Sequence, residues 1–578
     1  MEISVRWVLG GLKTNVFPSR TLSESFFFAD DIQWRCDFKS NYVVVPIGYP
    51  MQTLRERFVV KPICFDHQNG NSKKQNNFLR LFRITFSLRT LLIVVSICSF
   101  VIGWFAMQYD QANREHAALE QLPDMSVEVR YDYQYDKDGN FDPDRQPWIP
   151  KWMQGKRGKN SLARIVSLSM STRFQYEDSY GVIVDEHRDC ELRSLDFLSK
   201  FPKLRTLTLD LGMGPEFDFS ALNKLSKLER LEFTSRKIEE QYSVSTVMPL
   251  PLSDIAHARK LNYLQIYGDV VPSDTPLKFQ LRELDFRHRH QVVHQPILGL
   301  TGFGDLSKLN SLRLSFAGPD HFELETPSGM PALRRLNLTG PFKNLDAFSA
   351  SPIEELRLNR CTSLKDATGI SDSRTLRKLD ITAWHTKGNK LDFLSASLRF
   401  PALEEASLSR AGTIDFLQHC TRLKSLNLFD FEITDLAPIE HLPDLRVLKL
   451  DCAKLKKVEL ELNQVRELTI LAYQGLKQLR FLTNDNCRLE KLEILNKHGN
   501  VGPLSIEDLE CLKHAQQLRS IKLLKLSIPD VDFLDGKQNL EEVTLMDNPN
   551  LANLDGLKDS KETLKKLKIQ GNKAMLGN

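Results

Sequence analysis

A leucine-rich pattern, Leu-x-x-Leu-x-Leu with apolar replacements, recurs along most of this 578-residue chain. Sixteen copies follow one another with a mean period of about 24 residues, a spacing typical of repeat proteins. The chain is therefore built from many copies of one short unit. The copies begin at Leu204, Leu228, Leu261, Leu281, Leu309, Leu333, Ile353, Leu376, Leu403, Leu423, Leu445, Val465, Leu489, Leu518, Leu540 and Leu564.

Each copy ends in alternating apolar and polar residues, as in Leu426, Asn427 and Leu428. Alternate side chains of a β-strand point to the same face, so the two apolar residues point inward and the middle one faces solvent. One unit cannot bury its apolar residues alone, whereas stacked units form a parallel sheet with a continuous core. The pattern predicts an α/β fold, a leucine-rich repeat solenoid with a parallel sheet on the concave side and short helices on the convex side. An earlier strand around Ile165 is expected to start the stack.

The segment that leads back to each strand also repeats. It often carries an Asp followed by Leu or Phe, and Asp is a favourable residue at a helix N-cap. We therefore predict a helix of one or two turns after each Asp, with the apolar residues filling the core from the convex side. These Asp residues are Asp196, Asp346, Asp392, Asp415, Asp435 and Asp532.

Residues 423–445 (LKSLNLFDFEITDLAPIEHLPDL) show one whole unit, and such units cover about two thirds of the chain. They resemble the short repeats of internalin-like and phosphatase-regulator-like leucine-rich repeat proteins. That family commonly has Asn or Cys three residues after the last apolar strand position, where it satisfies buried backbone groups. Cys361, Asn548 and Asn572 match, and most other repeats do not. We therefore expect an irregular solenoid with loops protruding near 234–255, 288–303 and 497–510.

The run from Leu91 to Met107 is apolar and uncharged. As a helix it would measure about 26 Å, the short end of the range for a membrane span. The positive-inside rule predicts a cytoplasmic N-terminus and repeats on the outer side. A cleaved signal peptide and a buried core helix are the alternatives. Basic residues before the run are Lys73, Lys74, Arg80, Arg83 and Arg89, and acidic residues after it are Asp110, Glu115 and Glu120.

The flanks of this run resemble a more particular group. FRITFSLRTLLIVVSICSFVIGW (82–104) precedes NREHAALEQL (113–122) and VRYDYQYDKDGNFDPDRQPWIPKW (129–152). That order resembles bacterial, planctomycete-type single-span membrane proteins with leucine-rich repeats, and the resemblance implies membrane anchoring without implying a reaction. Residues 1 to about 75 do not fit the group, and our hypothesis is that part of this segment is a poorly ordered extension or precedes the true start of the protein.

Four regions follow from these patterns. We expect an irregular segment at 1–78, a basic flank and transmembrane helix at 79–108, a juxtamembrane helix and loop at 109–160, and the solenoid at 161–578. Residues 1–90 hold 13 basic and 7 acidic residues, and the whole chain has a formal charge of +4. The remainder is therefore near neutral, which gives no electrostatic case for nucleic-acid binding. The nine cysteines include no Cys-x-x-Cys pair and indicate neither a disulfide framework nor zinc.

Two clusters resemble metal sites. The stretch Asp136–Asp142 (DKDGNFD) is similar to a calcium loop, but Gln134 and Arg145 stand where such a loop needs acids. A hairpin with Asp138 and Gly139 at its tip is the better interpretation. The pattern His288, His290, His294 could ligate zinc, but interleaved arginines favour a solvated loop.

The sequence contains no catalytic or phosphate-binding motif that we recognise, so we predict a non-catalytic protein without metal or cofactor. The solvent-facing strand centres are polar, of mixed charge, and lack an aromatic stripe. Arg313, Asn337 and Arg357 are the preferred binding residues, because two arginines flank an amide on adjacent strands and suit an acidic peptide. The predicted function is binding of a protein or surface ligand by a membrane-anchored scaffold. The alternatives are a soluble intracellular regulator or adaptor and, less favoured, a degraded hydrolase in the juxtamembrane region.

Overall fold

A sheet of 18 strands runs through the repeats in the computed structural model. The chain divides into two compact units, Met1–Trp104 and Phe105–Asn578. The predicted irregular segment 1–78 lies outside the described residues. The structure describes residues 88–122, 125–147, 162–177, 183–187, 192–212, 217–236, 249–268, 270–271, 273, 277–288, 300–316, 329–361, 363–365, 367–382, 394, 397–410, 413–429, 436–440, 442–452, 457–461, 463–472, 478–482, 486–496 and 509–572.

Helix α1, Leu88–Glu120, is 33 residues long and contains the predicted span Leu91–Met107. It is long and apolar enough to cross a membrane, and its apolar side chains are exposed. At 1.5 Å per residue it measures about 50 Å, more than the roughly 30 Å of a bilayer core. The helix therefore continues without a break into the polar stretch that follows the apolar run. A second helix, α2, is the single turn Ala437–Glu440.

The strands follow the repeat motif along the chain, with a few short additions. In chain order they are β1 Ser126–Tyr131, β2 Ile165–Ser171, β3 Arg173–Glu177, β4 Ile183–His187, β5 Thr206–Gly212, β6 Arg230–Arg236, β7 Leu250–Pro251, β8 Tyr263–Tyr267, β9 Val270–Val271, β10 Glu283–His288, β11 Ser311–Phe316, β12 Arg335–Thr339, β13 Glu355–Asn359, β14 Lys378–Thr382, β15 Glu405–Ser409, β16 Ser425–Phe429, β17 Val447–Cys452, β18 Lys457–Glu461, β19 Glu467–Ala472, β20 Gln478–Leu482, β21 Lys491–Asn496, β22 Ser520–Leu524, β23 Glu542–Met546 and β24 Lys566–Gln570.

Strands of successive repeats pair in parallel, with each motif leucine beside the next. Leu312, Leu336 and Leu356, for example, are register partners across β11, β12 and β13. Each of these side chains is about 1% exposed, because neighbouring repeats cover it on both sides. Every strand that the motif predicts is present, including β2 around Ile165, and the leucine-rich repeat solenoid is confirmed.

The sheet begins one strand earlier than expected. Strand β1 pairs antiparallel with the amino-terminal edge of the stack, opposite β2. Its residues Val127, Val129 and Tyr131 alternate with polar ones, the signal of a half-buried strand within the stretch assigned to the juxtamembrane region. Three small sheets lie outside the main one: β3 with β4, β7 with β9 and β18 with β20.

The polar part of α1 packs against this first edge through a buried ion pair. Arg164 Nη2 lies 2.7 Å from Glu115 Oε1, and the two side chains are 6% and 0% exposed. The other oxygen of Glu115 accepts a 2.9 Å hydrogen bond from the Ile165 backbone N–H, and Arg164 also donates to Gln108 at 3.1 Å. The carboxylate thus joins the helix to the first parallel strand of the repeats.

Most of the described segments that connect the repeat strands contain a short 3-10 turn, and these turns correct the predicted capping. Asp196, Asp415 and Asp532 are the first residues of their turns and not the N-caps, which are the apolar residues before them. A polar residue two positions earlier accepts the Asp N–H instead, as Thr413 does at 3.2 Å and Asp530 at 3.1 Å. The cap position is buried in the core, so its side chain must be apolar. Asp392 and Asp435 lie outside the described residues.

A left-handed residue follows several strands and closes the turn. Arg360, Arg410, Lys525 and Asp547 have φ between 54° and 58°, a region that is unusual for Arg and Lys and more common for Asp. Each of their backbone N–H groups donates to a carbonyl of the next repeat strand, at 2.7–3.0 Å. Gly340 has φ 124° at the equivalent position, and a Cβ there would collide with the carbonyl oxygen of Phe316.

The predicted Asn and Cys positions satisfy buried backbone groups. Asn548 donates to the Leu523 carbonyl at 3.2 Å and accepts from Leu526 N–H at 2.8 Å. Its own backbone N–H donates to the Asn572 side chain at 2.8 Å. Cys361 Sγ lies 3.5 Å from the Leu338 carbonyl, and burial raises the pKa of its thiol to about 12. Cys361 is therefore a turn residue in its neutral form.

Candidate ligand-binding site on the concave face

The predicted binding residues occupy equivalent positions on three neighbouring strands. Arg313 of β11 is the register partner of Asn337 of β12, which is the partner of Arg357 of β13. Parallel strands lie about 4.8 Å apart, so the three side chains leave the sheet as one short row. The alternation that buries their leucine neighbours turns all three toward solvent on the concave side.

The row lines a shallow cavity of about 280 Å³ that extends over five strands, β8 and β10 to β13. Its wall is mostly charged or amide side chains, and its floor is the backbone of the sheet. The lining residues are Tyr263, Glu283, Leu284, Asp285, Ser311, Leu312, Arg313, Arg335, Leu336, Asn337, Glu355 and Arg357.

Asp285 is the acidic centre of one side of this cavity, and its side chain is 13% exposed. Arg287 binds it in a bidentate manner, with Nε–Oδ1 at 2.9 Å and Nη2–Oδ2 at 2.7 Å. These hydrogen bonds raise the pKa of Arg287 above its ordinary value. Arg313 Nη1 makes a longer 3.5 Å contact with Asp285 Oδ2. Because Arg287 already neutralises the carboxylate, Arg313 keeps most of its capacity to bind an anion.

The opposite side of the cavity holds an arginine without an acidic partner. Among the described residues, Arg357 forms no ion pair, and its side chain is exposed. Arg335 lies between, with Nη2 3.3 Å from Glu283 Oε1. Asn337 accepts a 3.3 Å hydrogen bond from Asn359, which leaves its amide N–H groups available. Glu355, on the same strand as Arg357, has no basic partner in the described part of the chain. The cavity therefore has an unpaired carboxylate close to the unpaired guanidinium of Arg357.

One end of the cavity is aromatic. The guanidinium carbon of Arg230 lies 3.5 Å from the ring centroid of Tyr263, and the Tyr263 hydroxyl donates to Gln265 at 2.8 Å. Burial raises the pKa of the Tyr263 hydroxyl. Tyr263, Glu283 and Arg335 were missed by the sequence analysis because they occupy the first strand position, and only strand centres were compared. Alignment of that position across repeats would have shown them.

The two metal-like clusters do not add to the site. Asp136–Asp142 forms the predicted hairpin, with Tyr135 bridged to Phe141 and Gly139 at φ 86°. The Asp136 carboxylate accepts hydrogen bonds from the Asn140 side chain and from the backbone N–H groups of Asn140 and Asp138, and these bonds lower the pKa of Asp136. His288 lies beside Phe316, whereas His290 and His294 fall outside the described residues. No metal-binding group of three or more His, Cys, Asp or Glu occurs in the described ranges.

The sheet, its buried leucine columns and its convex 3-10 turns define a leucine-rich repeat solenoid. No family model matches the sequence, and no curated protein matches it.

Several solved structures are similar in part. The TLR13–ssRNA13 complex is 16% identical over 65% of this chain and 59% of its own, with a TM-score of 0.39. This chain thus spans less than two thirds of that protein. An internalin of Listeria monocytogenes is 17% identical, covering 68% of this chain and 91% of its own, with a TM-score of 0.28. A leucine-rich repeat protein of Leptospira interrogans is 15% identical, covering 58% and 76%, with a TM-score of 0.32.

Proposed function

We propose that this protein is a non-catalytic, membrane-anchored scaffold that binds an acidic segment of a protein ligand in the concave cavity. The observation that carries the proposal is the row of Arg313, Asn337 and Arg357 on three adjacent strands, lining one cavity. A carboxylate between the two arginines would accept hydrogen bonds from both guanidinium groups. The amide of Asn337 would donate a further bond to the peptide backbone or to the same carboxylate.

The charge balance around the row supports an anionic group rather than a cationic one. Asp285 is already paired with Arg287, while Arg357 has no acidic neighbour bound to it. A charge-assisted hydrogen bond contributes about 1.5–3 kcal/mol when buried and less when exposed, so loss of one arginine should weaken binding about tenfold. Glu355 would repel the same anion, so a variant that removes its charge should have the opposite effect on binding.

The proposal is tested by selecting peptide ligands and then measuring their binding affinities. A display library of 12-residue peptides is panned against the full chain in lipid nanodiscs, and enriched peptides are titrated by fluorescence anisotropy. We expect enrichment of Asp and Glu, weakening of about tenfold in Arg357→Ala, and equal or tighter binding in Glu355→Gln. Enriched peptides that bind Arg313→Ala/Arg357→Ala as tightly as the wild type would overturn the proposed site.

We further propose that α1 crosses the cytoplasmic membrane with the repeats on the outer side. The support is the length and apolar surface of α1 together with the basic residues before it and the acidic ones after it. Protease added to intact spheroplasts should remove the repeats. Complete protection, or recovery of the chain in the soluble fraction, would favour an intracellular adaptor instead.

A further inference from the structure

A second surface of the sheet is formed by one strand position at which the side chains change from polar to apolar along the repeats. The fold does not require this change. The fifth position of the repeat strands from β5 to β15 is polar and partly exposed, whereas β16 has the apolar Phe429 there and the Asp451 of β17 is buried. The polar residues are Asp210, Thr234, Tyr267, Arg287, Ser315, Thr339, Asn359, Thr382 and Ser409. The same fold therefore forms with polar side chains at this position.

In the later repeats the fifth position becomes apolar on four consecutive strands of the sheet. Leu471 is the register partner of Leu495, Leu495 of Leu524, and Leu524 of Met546. All four are half-buried, and they alternate with core residues that are fully buried. We name Leu471, Leu495, Leu524 and Met546 the apolar row. The register places its side chains at neighbouring positions across the strands, and each of them is partly exposed.

The spacing of the side chains in the apolar row favours a helical binding partner over an extended one. Adjacent strands are about 4.8 Å apart, so the row spans about 14 Å from first to last. A helix lying across the strands presents a side chain every turn, about 5.4 Å, and covers this length in about three turns. An extended chain presents same-side residues about 6.6 Å apart, and these would fall out of step within two strands.

The charged side chains beside the apolar row favour acidic residues in a binding partner. Lys522 stands two residues from Leu524 on the same face and has no carboxylate partner among the described residues. The neighbouring Glu493 is already bound to Lys491 at 3.0 Å. Lys449 and Lys568 occupy the same central position as Lys522 on β17 and β24. The central positions of the four strands therefore carry one lysine, Lys522, without a carboxylate partner in the described ranges, and each flanking strand adds another lysine at that position.

We propose that the apolar row is a docking surface for an acidic amphipathic helix of a partner protein. Its apolar stripe would cover Leu471 to Met546, and Asp or Glu beside the stripe would reach Lys522. This surface is separate from the polar cavity on β8 to β13, so the two could be occupied at the same time.

The experiment uses the full chain in lipid nanodiscs and a display library of 16-residue peptides. We expect enriched sequences with apolar residues at i, i+3 or i+4, i+7 and i+11 and with Asp or Glu beside them. Leu495→Gln/Leu524→Gln should weaken their binding at least about tenfold, whereas the matched Ser409→Gln should not change it. Circular dichroism should show helix formation on binding.

Lys522→Glu supplies an independent readout, because it should reverse the preference from acidic to basic variants of the same peptide. Enriched peptides without helical periodicity, or binding unaffected by the double Gln variant, would overturn the proposal. Loss of a self-associated dimer in that variant, seen by light scattering with no peptide binding, would replace the partner helix with a second copy of this chain. Hydrogen exchange of β19 to β23 checks that each variant keeps its fold.

Discussion

Substitution of Arg164 by Met should release the first strand of the repeats from helix α1. In the native chain Glu115 receives Arg164 at 2.7 Å and Ile165 N–H at 2.9 Å in a nearly water-free position. Without Arg164 the carboxylate stays buried and keeps the Ile165 N–H bond but loses its counter-charge. Removal of one partner of such a pair costs about 3–5 kcal/mol. Because about 1.4 kcal/mol corresponds to tenfold, local opening at β2 should become roughly 10² to 4 × 10³ times more frequent.

The double variant Glu115→Met/Arg164→Met removes both charges and should recover much of this loss. It leaves the Ile165 N–H without its acceptor, which costs about 1–3 kcal/mol. The double variant is therefore expected to be more stable than Arg164→Met alone.

Hydrogen exchange with mass spectrometry measures this strand by strand. Protection should fall in β1, β2 and β5 and stay unchanged in β22 to β24, since repeats contact only their neighbours. The reasoning would be refuted if the double variant lost as much stability as Glu115→Met and Arg164→Met lose together. It would also be refuted by a uniform loss of protection along the solenoid.

Three further predictions concern turns and interior groups. Arg410 has φ 58°, so Arg410→Gly should raise the free energy of unfolding by about 0.5–1 kcal/mol, whereas Gly340→Ala should lower it. Denaturant melts measure both changes. The opposite order would contradict the left-handed turn. Lys537 is fully buried and its pKa is lowered to about 8 by desolvation, so the unfolded chain binds its proton more tightly. Stability should rise by about 2 kcal/mol from pH 8 to pH 10 in the wild type but not in Lys537→Met; parallel pH curves would disprove this. Asn548→Ala should cost about 2 kcal/mol and expose the Leu526 amide to exchange, and unchanged exchange there would exclude the proposed bond.

The repeat architecture could be predicted from the sequence because it depends on burial. Each Leu-x-Leu must point inward, so the strand, its register and its parallel neighbour follow from the periodicity alone. The resemblance to the leucine-rich repeat family identified Asn548, Asn572 and Cys361, and their side chains do bond to buried backbone groups of the turns. The periodicity also placed Arg313, Asn337 and Arg357 on successive strands, and their role in binding stays a prediction.

The features that sequence reasoning missed depend on contacts between distant segments. Nothing local shows that Glu115 meets Arg164, 49 residues later, because neither lies in a repeat. The capping of the convex turns was assigned to the wrong residue because Asp196 and its equivalents look like N-caps in isolation. The apolar row was missed since only the central strand position was compared between repeats.

The direction of the turn bonds has a consequence for how the chain is assembled. Each left-handed N–H, such as that of Asp547, is accepted by the following repeat, here by the Gln570 carbonyl. A ribosome delivers repeats from the amino end, so every newly made turn waits about one period, roughly 24 residues, for its acceptor. At each of these repeats the growing solenoid therefore carries an unfinished turn at its leading edge. Deletion of repeats from the carboxyl end would reopen the last remaining turn, whereas a cut between repeats leaves the turns of the carboxyl-terminal piece closed.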